Sequence, residues 1–222
     1  MELPIILINF KCYEEATGEK AFKLAKLCEF VSFEYGLNIS VAPQFADIKT
    51  IAEVEIPVFS QHIDPIESGA HTGHITALSV KEAGAVGTLI NHSERKLDLG
   101  KIRRCVELAK NYNLISVCCS GNVEESKAIA QFAPDFIAYE PPELIGTGIP
   151  VSQTKPEVIK RIVDEVKRIN PNIKIMCGAG ISKGEDVKRA LELGTVGVIP
   201  ASGVVKAANP EDVLVDFAEA IK

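Results

Sequence analysis

The chain has 222 residues, is 46% hydrophobic and carries a net charge of −6, which describes a folded protein rather than a disordered or fibrous one. The acidic balance, with no block of Lys and Arg residues, argues against binding to nucleic acid or to an anionic membrane. No apolar run is long enough to cross a bilayer, and no signal-peptide pattern is present. The six cysteines lack zinc-site and Cys-x-x-Cys spacing. We therefore expect a cytoplasmic protein with free thiols.

Eight short apolar segments alternate with longer segments of helical periodicity, which is the pattern of repeated βα units around a parallel sheet. Each short segment suits burial on both faces of a sheet. Eight evenly distributed units without a linker predict one (β/α)8-barrel domain over residues 1–222, rather than a doubly wound sheet. In chain order, the predicted strands span residues 5–10, 39–42, 58–61, 87–91, 115–119, 136–140, 174–177 and 197–201.

Helical periodicity is clearest after Pro156, where charged residues cover the face opposite to an apolar stripe. Asn122 is expected to cap the helix after strand five, and Gly194 is expected to end the seventh helix. Ser182 and Glu185 are expected to form a capping box at the start of that seventh helix. The stripe after Pro156 consists of Val158, Ile159, Ile162, Val163, Val166 and Ile169.

The third βα unit is the least regular one. Between residues 63 and 85, only residues 79–83 have a helical pattern, and they follow a long polar loop. Long βα loops in compact domains usually have a function. His62, Asp64, His71 and His74 offer a possible transition-metal site there, but their spacing matches no standard site, so we expect no metal.

Charged and polar residues stand at four predicted strand ends, where barrel enzymes collect their catalytic groups. Lys11 follows strand one, His92 follows strand four, and Glu140 ends strand six. Strand seven is followed by the loop 178–180, which is rich in glycine. The mouth of the barrel is thus predicted to combine a cation, an imidazole, a carboxylate and backbone N–H groups.

Glu140 is the candidate catalytic base. A carboxylate at the mouth of an apolar barrel is partly desolvated, which makes it a stronger base. Removing a proton next to a carbonyl, and returning it to the neighbouring carbon, requires one carboxylate and neither cofactor nor metal. The alternative is a salt bridge at the strand end. The Pro141-Pro142 pair and the glycine-rich loop that follow are typical of a lid hinge and favour the catalytic interpretation.

His92 and Lys11 are the candidate partners of Glu140. A neutral imidazole can donate a hydrogen bond to substrate oxygens and move a proton between them. An ammonium group at Lys11 can stabilise a developing enediolate. Asn9 is expected to hold Lys11 and to contact the substrate. The alternatives are a structural histidine, a solvated lysine and an asparagine that serves packing.

Three motifs carry a resemblance to a known family. They are Asn9-x-Lys11, His92-Ser93-Glu94-Arg95, and Tyr139-Glu140-Pro141 followed by Ile145-Gly146-Thr147-Gly148. In their order and strand positions they resemble triosephosphate isomerases, over the whole chain, and residues 177–181 and 201–206 are similar to the compact archaeal branch. The resemblance implies a TIM barrel and an isomerase of glycolysis and gluconeogenesis. Such an enzyme interconverts dihydroxyacetone phosphate and D-glyceraldehyde 3-phosphate through an enediolate, without a cofactor.

The resemblance also implies roles for individual residues. Glu140 is then the base, His92 the proton-shuttling acid and Lys11 the stabilising cation. Glu94 and Arg95 resemble a supporting pair, and Ser93 either anchors Lys11 or caps the turn after His92. Three loops, after strands six, seven and eight, are expected to aim N–H groups at a phosphate. The expected substrate contacts are Asn9, Lys11, Ile145, Gly146, Gly178, Gly180, Ala201 and Ser202.

The loop 68–74 resembles the third loop of the family, which reaches into a neighbouring subunit. The resemblance therefore implies self-association, as a homotetramer by similarity to the short archaeal form, with a homodimer as the alternative. His71 and His74 stand where the family usually has Phe and Glu, so the contact differs in detail.

Three other functions compete with isomerisation. A synthase acting on a heterocyclic phosphate leaves the set of Asn9, Lys11, His92 and Glu140 unexplained. A nicotinamide-dependent oxidoreductase conflicts with the glycine spacing, which departs from Gly-x-Gly-x-x-Gly. A phosphate-binding scaffold without activity is compatible with the fold alone, but the presence of all the reactive residue types argues against it.

Overall fold

Eight parallel strands form one sheet that is nearly closed into a barrel. The computed structural model describes residues 3–144, 148 and 150–222. The strands are β1 (Ile5–Asn9), β2 (Asn38–Ala42), β3 (Phe59–Ser60), β4 (Gly87–Ile90), β5 (Ile115–Ser120), β6 (Phe136–Tyr139), β7 (Lys174–Gly178) and β8 (Gly197–Ile199). Their spatial order is β2-β1-β8-β7-β6-β5-β4-β3. A parallel bridge between Val41 and Val58 joins the two edges, which confirms the predicted barrel.

Helices follow the strands and cover the outside of the barrel. The described α-helices are α1 (Glu19–Tyr35), α2 (Ile48–Ile51), α3 (Ala77–Glu82), α4 (Leu99–Asn111), α5 (Val123–Ala130), α6 (Val151–Thr154), α7 (Pro156–Ile169), α8 (Gly184–Glu192), α9 (Ser202–Val205) and α10 (Pro210–Ile221). Short 3-10 helices occupy Glu14–Ala16, Phe45–Asp47 and Pro142–Leu144. Within the described ranges, no helix is long and apolar enough to cross a membrane.

The helix signals of the sequence are confirmed with one exception. The side chain of Asn122 accepts a hydrogen bond from the backbone of Glu125 at the start of α5, and Gly194 follows α8 with a φ of +92°. The predicted capping box of Ser182 with Glu185 is wrong. Asp186 caps α8 instead, because its Oδ2 accepts the N–H groups of Ser182 (3.0 Å) and Lys183 (3.1 Å).

The core has two layers, one inside the barrel and one between the strands and the helices. Phe59 fills part of the interior, and a Cβ at Gly87 would lie 2.3 Å from its ring, so only glycine fits on β4 at this level. The large outer cluster includes the apolar stripe of α7. The inner cluster consists of Ile5, Leu7, Ala42, Phe59, Leu89, Val117, Cys119, Phe136, Ala138, Met176 and Ile199. This packed interior supports a rigid rim of strand ends.

Candidate active site

The residues predicted to react with a substrate meet at one cavity at the carboxyl ends of the strands. Asn9 and Lys11 reach it from β1, His92 from β4 and Glu140 from β6. Loops after β7 and β8 form the opposite wall, which includes Gly180, Ala201 and Ser202. The barrel thus brings together five segments that are far apart in the sequence.

Glu140 is almost fully buried, with 4% of its surface exposed. Its backbone N–H donates to Ser120 O at 2.8 Å, which continues the β5–β6 pairing past the end of the strand. The side chain lies over Gly178, where a Cβ would be only 2.3 Å from Glu140 Oε1. Among the described residues, nothing forms a hydrogen bond with Glu140 Oε2. Because a buried carboxylate oxygen is normally paired, this one is a candidate for chemistry.

Two buried thiols lie close to Glu140. Burial raises the pKa of Cys119, and the negative charge of Glu140 together with a hydrogen bond to it raises that pKa further. Burial also raises the pKa of Cys177, again with a contribution from the charge of Glu140. Both groups therefore remain neutral thiols.

The ring of His92 has a defined orientation. Its Nδ1 accepts the backbone N–H of Glu94 at 3.2 Å, so a neutral ring carries its proton on Nε2. Nε2 lies 3.5 Å from Glu140 Oε2. The donor side of the imidazole therefore faces the cavity next to the carboxylate.

Lys11 is held on both its backbone and its side chain. Its φ of +48° lies in the left-handed region, which is strained for a lysine and typical of functional sites. Its N–H donates to Asn9 Oδ1 at 3.0 Å, and its carbonyl accepts from Gln61 Nε2 at 2.9 Å. Nζ forms an ion pair with Glu94 Oε1 at 2.8 Å. Asn9 thus holds Lys11, as expected from the sequence.

The residues after His92 contact different parts of the site. Glu94 and Arg95 do not pair with each other: Glu94 contacts Lys11, whereas Arg95 Nη2 contacts Asp64 Oδ1 at 3.3 Å. The Oγ of Ser93 is buried and has no hydrogen-bond partner among the described residues. Ser93 therefore neither anchors Lys11 nor caps the turn after His92.

The loops after β7 and β8 present backbone to the cavity. Ala179 and Gly180 have φ values of +72° and +74°, and Ser202 begins α9 beside them. A Cβ at Gly203 would lie 2.6 Å from Ile181 O, so the two loops touch. Gly178 packs against Glu140 and is not among the residues that line the cavity, and its contact with the substrate stays a prediction.

The lid segment is described only at its ends. Ile145 and Gly146, predicted to contact the substrate, lie outside the described residues. Before them, Pro142–Leu144 form a 3-10 helix, and after them α6 begins at Val151. An ion pair between Lys155 Nζ and Glu143 Oε1 joins the two sides.

The histidines of the third unit do not gather into a metal site. In the ranges that the structure describes, no three His, Cys, Asp or Glu side chains are placed to hold a metal ion. His62 Nε2 lies 3.1 Å from Asp64 Oδ1. Burial lowers the pKa of His62, and the charge of Arg95 lowers it further, against the opposing effect of Asp64. His71 and His74 contact each other edge to face, at 5.9 Å between ring centroids, in an exposed loop.

Sequence reasoning missed Asn91 and Glu125. Asn91 follows β4 with a φ of +63° and bonds to Glu125 on α5 at 2.9 Å. An asparagine directly after a buried strand was a signal for the left-handed conformation. Glu125 gave no comparable signal, because its partners lie on other loops.

Comparisons with known proteins identify the family of the chain. A sequence model of the triosephosphate isomerase family matches residues 4–221. The triosephosphate isomerase of Methanothermus fervidus is 54% identical over 96% of this chain and 97% of its own length. That of Methanocaldococcus jannaschii is 54% identical over 95% and 96%, respectively.

A solved structure supports the architecture independently. The crystal structure of triosephosphate isomerase from Bartonella henselae superposes with a TM-score of 0.77, covering 99% of this chain and 98% of the other at 18% identity. At that identity the likeness shows the fold alone, whereas the sequence matches show the family. The chain belongs to the triosephosphate isomerase family, whose enzymes interconvert dihydroxyacetone phosphate and glyceraldehyde 3-phosphate.

Proposed function

We propose that this chain, acting as a single barrel domain, isomerises triose phosphates through an enediolate, with Glu140 as the base. The observation that carries the proposal is the buried Glu140 Oε2, which has no hydrogen-bond partner among the described residues and lies 3.5 Å from His92 Nε2. An ionised carboxylate in that position can accept a proton from the carbon next to a carbonyl. The resulting carboxylic acid then returns a proton to the neighbouring carbon.

His92 serves the two oxygens of the substrate in this scheme. With Nδ1 occupied by the N–H of Glu94, the ring donates from Nε2 to the carbonyl oxygen as negative charge develops on it. Moving a proton between the two enediolate oxygens completes the exchange of ketone and aldehyde. The donor side is fixed before substrate arrives, so the ring needs little reorganisation.

Lys11 and Asn9 are proposed to stabilise charge on the substrate. Lys11 Nζ is anchored by Glu94 at the rim of the cavity. An ammonium there attracts the phosphate and the enediolate, which lets a protein of net charge −6 collect an anionic substrate locally. Asn9 contributes by holding the backbone of Lys11 and by facing the same cavity.

The phosphate group is proposed to bind between the loops after β7 and β8. Gly180, Ala201 and Ser202 line that side of the cavity. Backbone N–H groups in such loops bind phosphate in barrels, where the loops after strands seven and eight are the usual location. The lid residues Ile145 and Gly146 are proposed to close over the phosphate and exclude water.

We further propose self-association, as a homotetramer with a homodimer as the alternative, in the cytoplasm. Residues 67–74 form an exposed loop, and a second cavity, lined by Cys12, Tyr13, Gln61 and Arg95, opens beside the active site. The loop of a second copy is the proposed occupant. The six cysteines are all free thiols, which is typical of a reducing compartment. Light scattering of the purified protein measures the assembly, and a monomer would contradict the proposal.

A direct assay tests the activity. Purified protein and dihydroxyacetone phosphate are combined with a chelator, and formation of glyceraldehyde 3-phosphate is followed by a coupled reaction. We expect turnover without added metal or cofactor. Turnover that requires either one would contradict the proposed mechanism, and absence of turnover under all conditions would contradict the proposed function.

A further inference from the structure

The chain leaves β4 through a strained residue that the mechanism does not use. Asn91 is fully buried and has a φ of +63°, in a region that asparagine tolerates better than most residues. It directly precedes His92. The conformation of Asn91 therefore sets the direction in which the backbone carries the imidazole into the cavity.

The side chain of Asn91 is held from three directions. Nδ2 donates to Cys119 O and to Glu125 Oε1, both at 2.9 Å, and Oδ1 accepts from the N–H of Leu97 at 2.9 Å. The bond to Leu97 closes the loop that contains His92. A strained backbone conformation persists only where the surrounding structure holds it in place. The three hydrogen bonds of the Asn91 side chain do so here.

Glu125 is the centre of this network. Its Oε1 accepts from Asn91 Nδ2 and from Lys96 Nζ at 2.5 Å, and its Oε2 accepts from the N–H of Gly121 at 2.7 Å. Burial opposes ionisation of Glu125, but these three donors together hold its pKa below the usual value. An ionised carboxylate accepts all three of these bonds more strongly than a protonated one does.

The same network reaches the segment that carries Glu140. Gly121 follows Ser120, whose carbonyl accepts the backbone N–H of Glu140 at 2.8 Å. A Cβ at Gly121 would lie 3.0 Å from Pro142, at the entry to the lid. Glu125 therefore contacts the loop after β4 and the turn after β5, which border His92 and Glu140.

We propose that Glu125 is a positioning residue for the isomerisation, which acts through Asn91 to fix the backbone that presents His92 to the substrate. The inference rests on the proposed role of His92. Glu125 itself is separated from the cavity by Asn91 and does not line it. Its effect on the reaction is therefore expected to appear in the orientation of the imidazole rather than in binding of the substrate.

The test compares Glu125→Gln with Glu124→Gln. Glu124 is the matched control, because it is the preceding residue of α5, is 74% exposed and pairs only with Lys127 among the described residues. In Glu125→Gln, the amide N–H₂ faces one of the N–H groups that the carboxylate accepted, so one hydrogen bond of the network is lost. We therefore expect kcat to fall about tenfold while KM stays within about twofold. The ¹⁵N signals of the His92 ring, assigned with a His92→Gln variant, are expected to shift. Glu124→Gln is expected to match the wild type in all three measurements.

Two further variants separate positioning from loss of structure. Glu125→Asp keeps the negative charge, so its kcat is expected to lie between those of Glu125→Gln and the wild type. If Glu125→Gln does not fold, Glu125→Asp replaces it in the comparison with Glu124→Gln. Asn91→Gly keeps the positive φ but removes the side chain through which Glu125 is proposed to act. In the Asn91→Gly variant, adding Glu125→Gln is therefore expected to lower kcat by less than about twofold. Full additivity of the two changes would overturn the proposal.

The outcomes also distinguish this inference from the proposed function. If the wild type shows no isomerase activity, the proposed function fails, but the His92 signals still test the positioning. Shifted signals in Glu125→Gln and not in Glu124→Gln support it. Unchanged signals, or a wild-type kcat in folded Glu125→Gln, overturn it.

Discussion

Two buried carboxylates near the mouth of the barrel, one at the start of α8 and one after β6, have different surroundings. Asp186 accepts hydrogen bonds from Ser182 N–H at 3.0 Å, Lys183 N–H at 3.1 Å and Gln153 Nε2 at 2.9 Å. Glu140 Oε2 accepts none from the described residues. Both side chains are at most 4% exposed. Burial alone therefore does not identify a reactive carboxylate, whereas a buried oxygen without a hydrogen-bond partner does.

The difference separates stability from reactivity. A buried acceptor with all its donors stabilises the fold, and an unpaired one destabilises it by about 1–3 kcal/mol. Retaining such a group is typical of active sites, where function is kept at the expense of stability. The start of α8 is thus expected to respond to mutation through stability, and the end of β6 through catalysis.

The largest expected effect is that of Glu140→Gln. Loss of the base should lower kcat about 10³-fold, while the melting temperature stays the same or rises, because a neutral amide replaces a buried carboxylate whose Oε2 has no hydrogen-bond partner among the described residues. Steady-state kinetics and thermal unfolding measure the two effects, and an enediolate analogue should still bind. Glu185→Gln, on the exposed side of α8, is the control. A variant that keeps more than about a tenth of wild-type kcat would contradict the role of Glu140.

Gly178→Ala should have the next largest effect. The added methyl group would lie 2.3 Å from Glu140 Oε1 and 2.4 Å from its Cγ, so the carboxylate must move. Misplacement of a catalytic group by about 1 Å can lower kcat by about 10²-fold. Gly100→Ala, in α4 and away from the cavity, should leave kcat unchanged. Wild-type kcat in Gly178→Ala would show that the position of Glu140 is not critical.

Asp186→Asn should lower stability and leave activity largely intact, in contrast to Glu140→Gln. An amide cannot accept from every donor at this cap, so we expect a loss of about 1–3 kcal/mol in the free energy of unfolding. Denaturant titration measures this loss, and kcat should change less than about fivefold. If Asp186→Asn were as inactive as Glu140→Gln and as stable as the wild type, the distinction between the two carboxylates would fail.

The smallest effect is expected at Asp64, a third buried carboxylate. Burial raises its pKa, but the N–H of Ile75, His62 and Arg95 outweigh burial and hold the pKa below the usual value. The stability that this lowered pKa contributes is present above about pH 3.9, where an unfolded aspartate is ionised, and is lost as the pH falls through the folded-state pKa.

Melting temperatures measured between pH 5 and pH 2 test this linkage. The wild type should lose more stability over that range than Asp64→Asn does, because the asparagine has no proton to gain. Parallel curves for the two proteins would contradict the contribution of Asp64.

Most of the fold could be predicted from the sequence, because strands buried on both faces appear as continuous apolar runs. The predicted strand 115–119 differs from β5 by a single residue. The third and eighth strands end earlier than predicted. Gln61 and Ala201, the predicted last residues of these strands, line cavities at the mouth of the barrel instead. The helix cap at Asp186 was missed because Ser182 and Glu185 fit the same local pattern one residue earlier.

The candidate site was predictable in its residue types but not in its contacts. The strand-end positions of Lys11, His92 and Glu140 follow from the alternating pattern. The ion pair of Lys11 with Glu94 joins residues 83 positions apart, and no local pattern encodes it. The same limit applies to Asn91 and Glu125, which meet only because β4 and β5 are neighbours in the barrel.

The role of Glu140 as the base is tested most directly by isomerisation in D₂O, followed by ¹H NMR. The wild type should convert dihydroxyacetone phosphate into glyceraldehyde 3-phosphate that carries deuterium at C2 in part of the product, because the protonated carboxyl group exchanges with solvent before returning its proton. Glu140→Gln should form labelled product about 10³-fold more slowly than the wild type. Labelled product formed by Glu140→Gln at the wild-type rate would contradict the assignment of the base.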